Sequence, residues 1–411
     1  MTSEERREGR YQRRKAKRKK VEQTIARKYA DPDKVFSTSA IVKGFKKSRR
    51  ASGWKASTQA FGSNLFINAS RESKNLYNGS WKPKGFYEFD IIERGKPRHI
   101  QSVCMAEKCV QSALSNECLV PILERSLIHD NGASLKNKGT DFAINRFIEH
   151  LRWHYRRYGR EGGIYFFDFK GYFSHIKHWP LKQRVRDKIQ NEAILRVYNL
   201  LIDAFREEGI SKYEAEGLGL GSQVSQISAV FYPNAIDHWV KDSLGVHCYA
   251  RYMDDGYIIL PDIDKLKAIA KRFESLCLAN GIYPNRKKCR IIKLTKQFTF
   301  LKVRFFLTET GKVVRRLSRD AITKERRRLR KLRSLLEESR ITFQRINQEF
   351  HAWLCSLVRG KSYHVTQNMI RYFDRLFSSF GGYSLPEKRP KKRQKKRYRI
   401  IRSAMIASRA Q

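Results

Sequence analysis

Between Phe86 and Val103 the chain reads FYEFDIIERGKPRHIQSV, with apolar and polar positions alternating on either side of Arg94-Gly95-Lys96-Pro97. Alternation broken by a Gly/Pro cluster predicts a β-hairpin, with Lys96 and Arg98 on its second arm. An apolar, helix-like stretch follows from Lys108 to Leu127, then a polar turn NGASLKNKG (131–139) and a helix from about Thr140 to Tyr158. The segment GIYFFDFKGYF (163–173) is apolar or aromatic around a single acid, Asp168, the pattern of a buried strand. In CYARYMDDGYIIL (248–260) two apolar runs meet at Asp254-Asp255-Gly256, predicting a second hairpin with Asp-Gly at its turn and both carboxylates at the tip. A helix is expected from about Asp264 to Asn280, and a strand pair in FTFLKVRFFLTETGKVVRR (298–316) with Thr310-Gly311 at its turn. From Thr323 to Ser339, Leu329, Leu332, Leu335 and Leu336 recur at helical spacing among basic residues, predicting a helix with one apolar seam and a cationic face. No internal repeat is visible.

Composition narrows the class. The 411 residues are 41% hydrophobic and 12% aromatic, enough for packed cores, yet 86 Lys and Arg against 40 Asp and Glu leave a formal charge of +46. Self-repulsion of that size calls for a polyanion, and nucleic acid is the natural partner. A membrane surface fits less well, since the basic residues run through the whole chain and no apolar run nears the roughly 20 residues that span a bilayer. The opening MTSEERREGRYQRRKAKRKK has no apolar segment to act as a signal peptide, so a cytoplasmic protein is expected. Seven scattered cysteines, with no C-x-x-C pair, read as thiols in a reducing compartment. Residues 1–50 are expected to form a basic, mobile or marginally helical arm, and the run KRPKKRQKKRYR (388–399) an exposed tail.

The acids are the anomaly in so basic a chain. A lone carboxylate in an apolar strand costs several kcal/mol or gives up its charge, so Asp168 either caps a strand end or belongs to a site. Together with Asp254 and Asp255 it would make a strongly repelling trio that needs a cation. Mg²⁺ takes oxygen ligands, and two such ions about 4 Å apart activate a 3′ hydroxyl and stabilise a leaving pyrophosphate. That is the requirement of a polymerase-like phosphoryl-transfer site.

Tyr252-Met253-Asp254-Asp255 with its apolar flanks resembles the catalytic hairpin of reverse transcriptases, and FDFKGYF around Asp168 resembles their other metal-binding strand. Between them GLGLGSQVSQ (217–226) is similar to the G-x-x-x-S-Q element of the bacterial enzymes, with Gly221, Ser225 and Gln226 at the matching positions. NRKKCRII resembles the lysine-bearing element and nominates Lys288, with Lys287 beside it; FTFLKVRF resembles the primer-gripping hairpin, with Lys302 where the family usually has glycine. The resemblance covers about residues 54–375. It implies that Asp168, Asp254 and Asp255 are catalytic metal ligands for two Mg²⁺ ions, Mn²⁺ substituting. It further implies that Lys96, Arg98, Phe173, Gln226 and Lys288 meet the nucleotide, Phe173 by blocking a ribose 2′ hydroxyl. Gly221, Ser225, Tyr252, Met253, Leu301 and Lys302 would face template or primer.

The implied fold is α+β, a right-hand polymerase with fingers and palm built on a mixed or antiparallel sheet flanked by helices, and an all-α thumb. The expected division is a basic arm (1–50), fingers and palm (51–318), a helical thumb (319–380) and a basic tail (381–411). Leu220-Gly221-Ser222-Gln223-Val224-Ser225-Gln226 fits the form associated with diversity-generating retroelements, and the later helices look like the thumb of group II intron enzymes. Asn234-Ala235-Ile236-Asp237-His238 lies after the glycine motif and Val358-Arg359-Gly360 replaces a V-T-G triplet, both against a retron. The expected function is therefore an RNA-directed DNA polymerase of a bacterial or phage-encoded retroelement. It would use an RNA template, a DNA or RNA primer, dNTPs, a structured non-coding RNA and an accessory protein. An antiviral-defence enzyme, a template-independent or protein-primed polymerase, and a silent RNA-binding scaffold are the alternatives; the scaffold predicts loss of a metal-site acid, and all three acids are present.

Overall fold

The computed structural model describes residues 3–93, 96–317, 319–360, 362–385 and 395–409. Arg94 and Gly95 of the expected hairpin turn, and residues 388–394 of the basic run, lie outside the described residues. By contacts the chain groups into two compact units, residues 1–146 with 165–291, and residues 147–164 with 292–411.

Among the described residues, nine strands form three sheets. β1 (Tyr87–Glu93) and β2 (Lys96–Ser102) make the expected antiparallel hairpin. β3 (Gly163–Asp168), β4 (Tyr249–Tyr252), β5 (Asp255–Leu260) and β6 (Arg290–Lys293) make a sheet ordered β4-β5-β3-β6. β7 (Phe298–Phe300), β8 (Val303–Leu307) and β9 (Val313–Leu317) form an antiparallel meander. β3 is buried at every position, which suits its unbroken apolar run and its place between two other strands. The expected strand pair at 298–316 is β8 and β9, and the register adds β7 through a turn at Leu301-Lys302. All three strands fall in the second unit, earlier in the chain than the boundary expected at 318.

The helices Thr140–Tyr158 and Ile263–Ala279 lie where periodicity put them. The apolar stretch before 127 is helical from Met105 to Ser126, with one wider turn at Ser115–Leu119 ahead of Pro121. The first fifty residues depart from the arm expected on charge. They form helices Ser3–Tyr29, Pro32–Val35 and Thr38–Ser48, the last capped by Ser37, whose hydroxyl accepts from the Ala40 amide at 3.2 Å. Val35, Phe36, Ile41 and Phe45 are buried in the core of the first unit, each such burial worth about 1.5–3 kcal/mol. The tail likewise contains a helix, Lys395–Arg409, whose Ile401 and Ala404 are buried with Phe350, Phe373 and Tyr383 in the core of the second unit. In both places a short apolar seam outweighs the charge around it, because long basic side chains keep their heads in water while their helix docks. In the same unit the helix Arg319–Glu337 buries Leu329 and Leu332 as its seam requires. Among the described residues no helix is long and apolar enough to cross a membrane.

Candidate active site

The site is built on the β4-β5 hairpin of the first unit. Tyr252 pairs with Asp255 across it, so the two-residue turn is Met253-Asp254 and not the Asp-Gly expected from the sequence. Met253 takes the left-handed backbone, φ 55°, that such turns demand of their first central residue. Gly256 lies instead within β5 opposite Arg251. It is glycine for a different reason: a Cβ there would lie 2.1 Å from Phe167 Cζ and 2.8 Å from the Ala250 carbonyl oxygen. The Phe167 ring cannot withdraw, since it is packed against Phe273 at 4.6 Å and Phe169 at 5.5 Å between centroids.

Asp168 ends the neighbouring β3 and is buried. The Phe169 amide donates to the Asp254 carbonyl at 3.1 Å, which ties the end of β3 to the hairpin tip. Lys288 holds Asp168 Oδ2 at 2.6 Å through its ammonium. Asn285 Nδ2 donates to Oδ1 at 2.8 Å, and the Asn285 amide donates to the Asp168 carbonyl at 2.7 Å. Asn285 escaped the sequence reading, although Pro284-Asn285 three residues before Lys288 is a turn signal that could have found it.

Electrostatics follow from this crowding. Burial raises the carboxyl of Asp254, with the charge of Asp168 adding and those of Lys288 and Arg98 opposing. Asp255 is pushed up to about 7 by burial, then by Asp254 and Asp168. The bond to Asp168 holds Lys288 above the ordinary lysine range. Hard oxygen donors that repel one another, with one oxygen already on a cation, fit divalent metal. Among the described residues, however, no three acidic, histidine or cysteine side chains close into a ready cation cage.

The other residues singled out from the sequence divide between the units. Arg98 is exposed on β2, within electrostatic reach of Asp254, and Lys96 opens the same strand. Phe173 follows β3, half-buried, with its ring edge-on to Tyr172 at 6.0 Å and its carbonyl accepting from the Leu218 amide at 2.8 Å. Gly221 has φ 112°, closed to most side chains, and Ser222 caps the helix Gln223–Phe231 by accepting from the Ser225 amide at 3.1 Å. Ser225 is buried with an unpartnered hydroxyl, whereas Gln226 is exposed. Tyr252 is half-buried, its hydroxyl 3.3 Å from Thr140 Oγ1. Leu301 and Lys302 sit in the second unit at φ 47° and 67°, so Lys302 adopts the conformation that glycine would take more easily.

Residues 82–305, more than half of the chain, match the family described as reverse transcriptase (RNA-dependent DNA polymerase). No curated protein matches. Among solved structures the chain is similar to telomerase from Candida albicans bound to a TWJ fragment of telomeric RNA, at 12% identity over 84% of this chain and 65% of that one, TM-score 0.49. It is also similar to apo telomerase from Candida tropicalis, at 14% identity over 80% and 63%, TM-score 0.46. The form of the latter truncated from its C-terminal domain gives 16% identity over 56% and 54%, TM-score 0.42. The chain thus spans between about half and two thirds of the length of these telomerases. On the family match across the segment that holds the three carboxylates, the chain belongs to the reverse transcriptase (RNA-dependent DNA polymerase) family.

Proposed function

We propose that the protein is an RNA-directed DNA polymerase that extends a DNA or RNA primer with dNTPs along an RNA template, in a bacterial or phage retroelement of the diversity-generating type. The observation that carries the polymerase reading is the meeting of Asp168 with the Asp254-Asp255 tip, inside the segment that matches the family. Asp168, Asp254 and Asp255 would hold two divalent ions, Mg²⁺ or in its place Mn²⁺. Bound there, such ions lower the pKa of a primer 3′ hydroxyl and offset charge on the triphosphate. Arg98 and Lys96 on β2, with Lys288, supply positive charge where negative charge develops on the leaving pyrophosphate. Phe173 presents an aromatic wall to the ribose, Gly221, Gln226, Tyr252 and Met253 line the approach of base pair and template, and the buried Ser225 supports them from within its helix instead of touching template. Leu301 and Lys302 serve the primer end. The retroelement assignment rests on Leu220-Gly221-Ser222-Gln223-Val224-Ser225-Gln226, and a dedicated structured RNA and an accessory protein belong to it.

Incorporation of labelled dNTPs on a supplied RNA, with and without Mg²⁺, tests the reading. Metal-dependent synthesis of the RNA's complement is expected, with loss of synthesis in Asp254→Ala/Asp255→Ala. Incorporation that survives the double substitution, or homopolymer made without template, would refute it. Sequencing of copurifying nucleic acid separates a diversifying element from an antiviral one.

A further inference from the structure

Behind the catalytic turn lies a charged cluster with no direct role in holding metal or nucleotide. Arg251 and Asp237 are both fully buried, 1% and 0% exposed. Arg251 Nε donates to Asp237 Oδ1 at 2.9 Å and its Nη2 to Oδ2 at 2.6 Å, a two-pronged pair. The Tyr249 hydroxyl donates to the same Asp237 Oδ1 at 2.6 Å, and Arg251 Nη2 reaches the Val230 carbonyl at 2.8 Å. The remaining nitrogen points forward: Nη1 donates to the carbonyl of Met253 at 3.0 Å. Met253 is the residue held in the left-handed conformation, directly before Asp254. The backbone of Arg251 is fixed as well, pairing with Gly256 on one side, while on the other its amide donates to the Asp130 carbonyl at 3.2 Å and its carbonyl accepts from the Gly132 amide at 2.8 Å.

A purely structural ion pair would satisfy its own charges and stop. Here the aspartate is carried by the short helix Asn234–His238, while the arginine extends one prong from that anchor to the turn that presents the catalytic acid. A non-glycine residue persists at positive φ only where its surroundings over-determine it. The two-residue turn calls for that conformation, and a guanidinium held at three other contacts adds a fixed donor that restrains the Met253 carbonyl within it.

We propose that Arg251, anchored by Asp237, is a positioning residue that clamps the Met253 carbonyl and thereby sets the orientation of Asp254 for metal binding. The inference rests on the metal-ion reading of Asp168, Asp254 and Asp255. A planar fork is needed for it, because one guanidinium must reach Asp237, Val230 and Met253 at once; the single ammonium of lysine keeps the charge against Asp237 but cannot span all three.

The experiment compares wild type, Arg251→Lys, Asp254→Asn and a packing control, Ile194→Ala, whose buried side chain lies in the helix Glu192–Asp203. Mn²⁺ binding is measured by electron paramagnetic resonance without nucleotide, thermal unfolding is followed on the same samples, and kcat and dNTP KM are measured separately. Arg251→Lys is expected to bind Mn²⁺ about tenfold or more weaker, as loss of a supporting contact to a metal ligand does. Its kcat should fall while dNTP KM stays within about twofold, the signature of a lost orientation and not of lost nucleotide binding. Ile194→Ala should lose melting temperature without either change. Wild-type Mn²⁺ affinity and kcat in Arg251→Lys would overturn the clamp, as would an equal loss in Ile194→Ala. Mn²⁺ binding that survives Asp254→Asn would instead overturn the metal-ion reading. Should Arg251→Lys not fold, the charge-neutral pair Asp237→Asn/Arg251→Met, which removes the donor to Met253 without stranding a buried charge, is read in its place by the same criteria.

Discussion

Gly256→Ala is the smallest change that should disable the hairpin. The added methyl would meet Phe167 Cζ at 2.1 Å, Phe167 Cε2 at 2.6 Å and the Ala250 carbonyl oxygen at 2.8 Å, more than an ångström inside ordinary contact for the first. Relief by the ring is blocked, because Phe167 is 2% exposed and stacked among Phe169, Tyr249 and Phe273. Relief by the backbone is blocked too, since Ala250 belongs to β4, whose register with β5 defines the turn. The strain must then be shared between a core aromatic and the strand that begins with Asp255. Overpacking of this kind costs about 1–3 kcal/mol, and with two hard neighbours the upper end is expected. A displacement near 1 Å beside a catalytic carboxylate lowers turnover by about 100-fold. Denaturant unfolding measures the first effect and steady-state dNTP incorporation the second. The pair Phe167→Leu/Gly256→Ala supplies the control, because opening the ring's space should restore part of both losses in a non-additive way. If Gly256→Ala is as stable and as active as wild type, the close approach of Phe167 is not what requires glycine there.

Two further expectations follow from the same geometry. The carboxyl of Asp255 is pushed up to about 7, so in the metal-free protein its contribution to stability is fully present below the ordinary carboxylate pKa and is lost as pH rises through about 7. Divalent metal needs the ionised form, so affinity should rise about tenfold from about pH 6 to pH 8, with about one proton released per site at pH 6 and almost none at pH 8, and a flat calorimetric profile would contradict this. In the second unit, Lys302→Gly should relieve the left-handed strain at φ 67°. The strain is about 1–2 kcal/mol and the added flexibility of glycine takes back roughly half, so a net gain of about 0.5 kcal/mol is expected in denaturant unfolding; a loss would show that the lysine side chain stabilises the turn.

Strand and helix identities were legible because they rest on local periodicity. The unbroken apolar run of β3, the alternation of β1 and β2, and the leucine seam of Arg319–Glu337 each state which face is buried, whatever packs against it. The three acids were legible for the opposite reason: as charges inside apolar runs they break the pattern. Arg251 and Asp237 break it in the same way, an arginine in CYARYM and an aspartate in NAIDH, yet neither stretch reveals that they are partners.

The amino-acid sequence by itself determined the strands of the two hairpins and of β3, the more strongly periodic helices, the cationic character and the acids of the site. Tertiary structure alone decided which residues form the turn, because cross-strand register and not the Asp-Gly signal put Met253-Asp254 at the tip. It decided that Gly256 answers to Phe167, nearly ninety positions away, and that Asn285 and Lys288 share Asp168. It also decided that the two basic ends contain packed helices, since a few apolar positions among many charges acquire meaning only when a core is there to receive them.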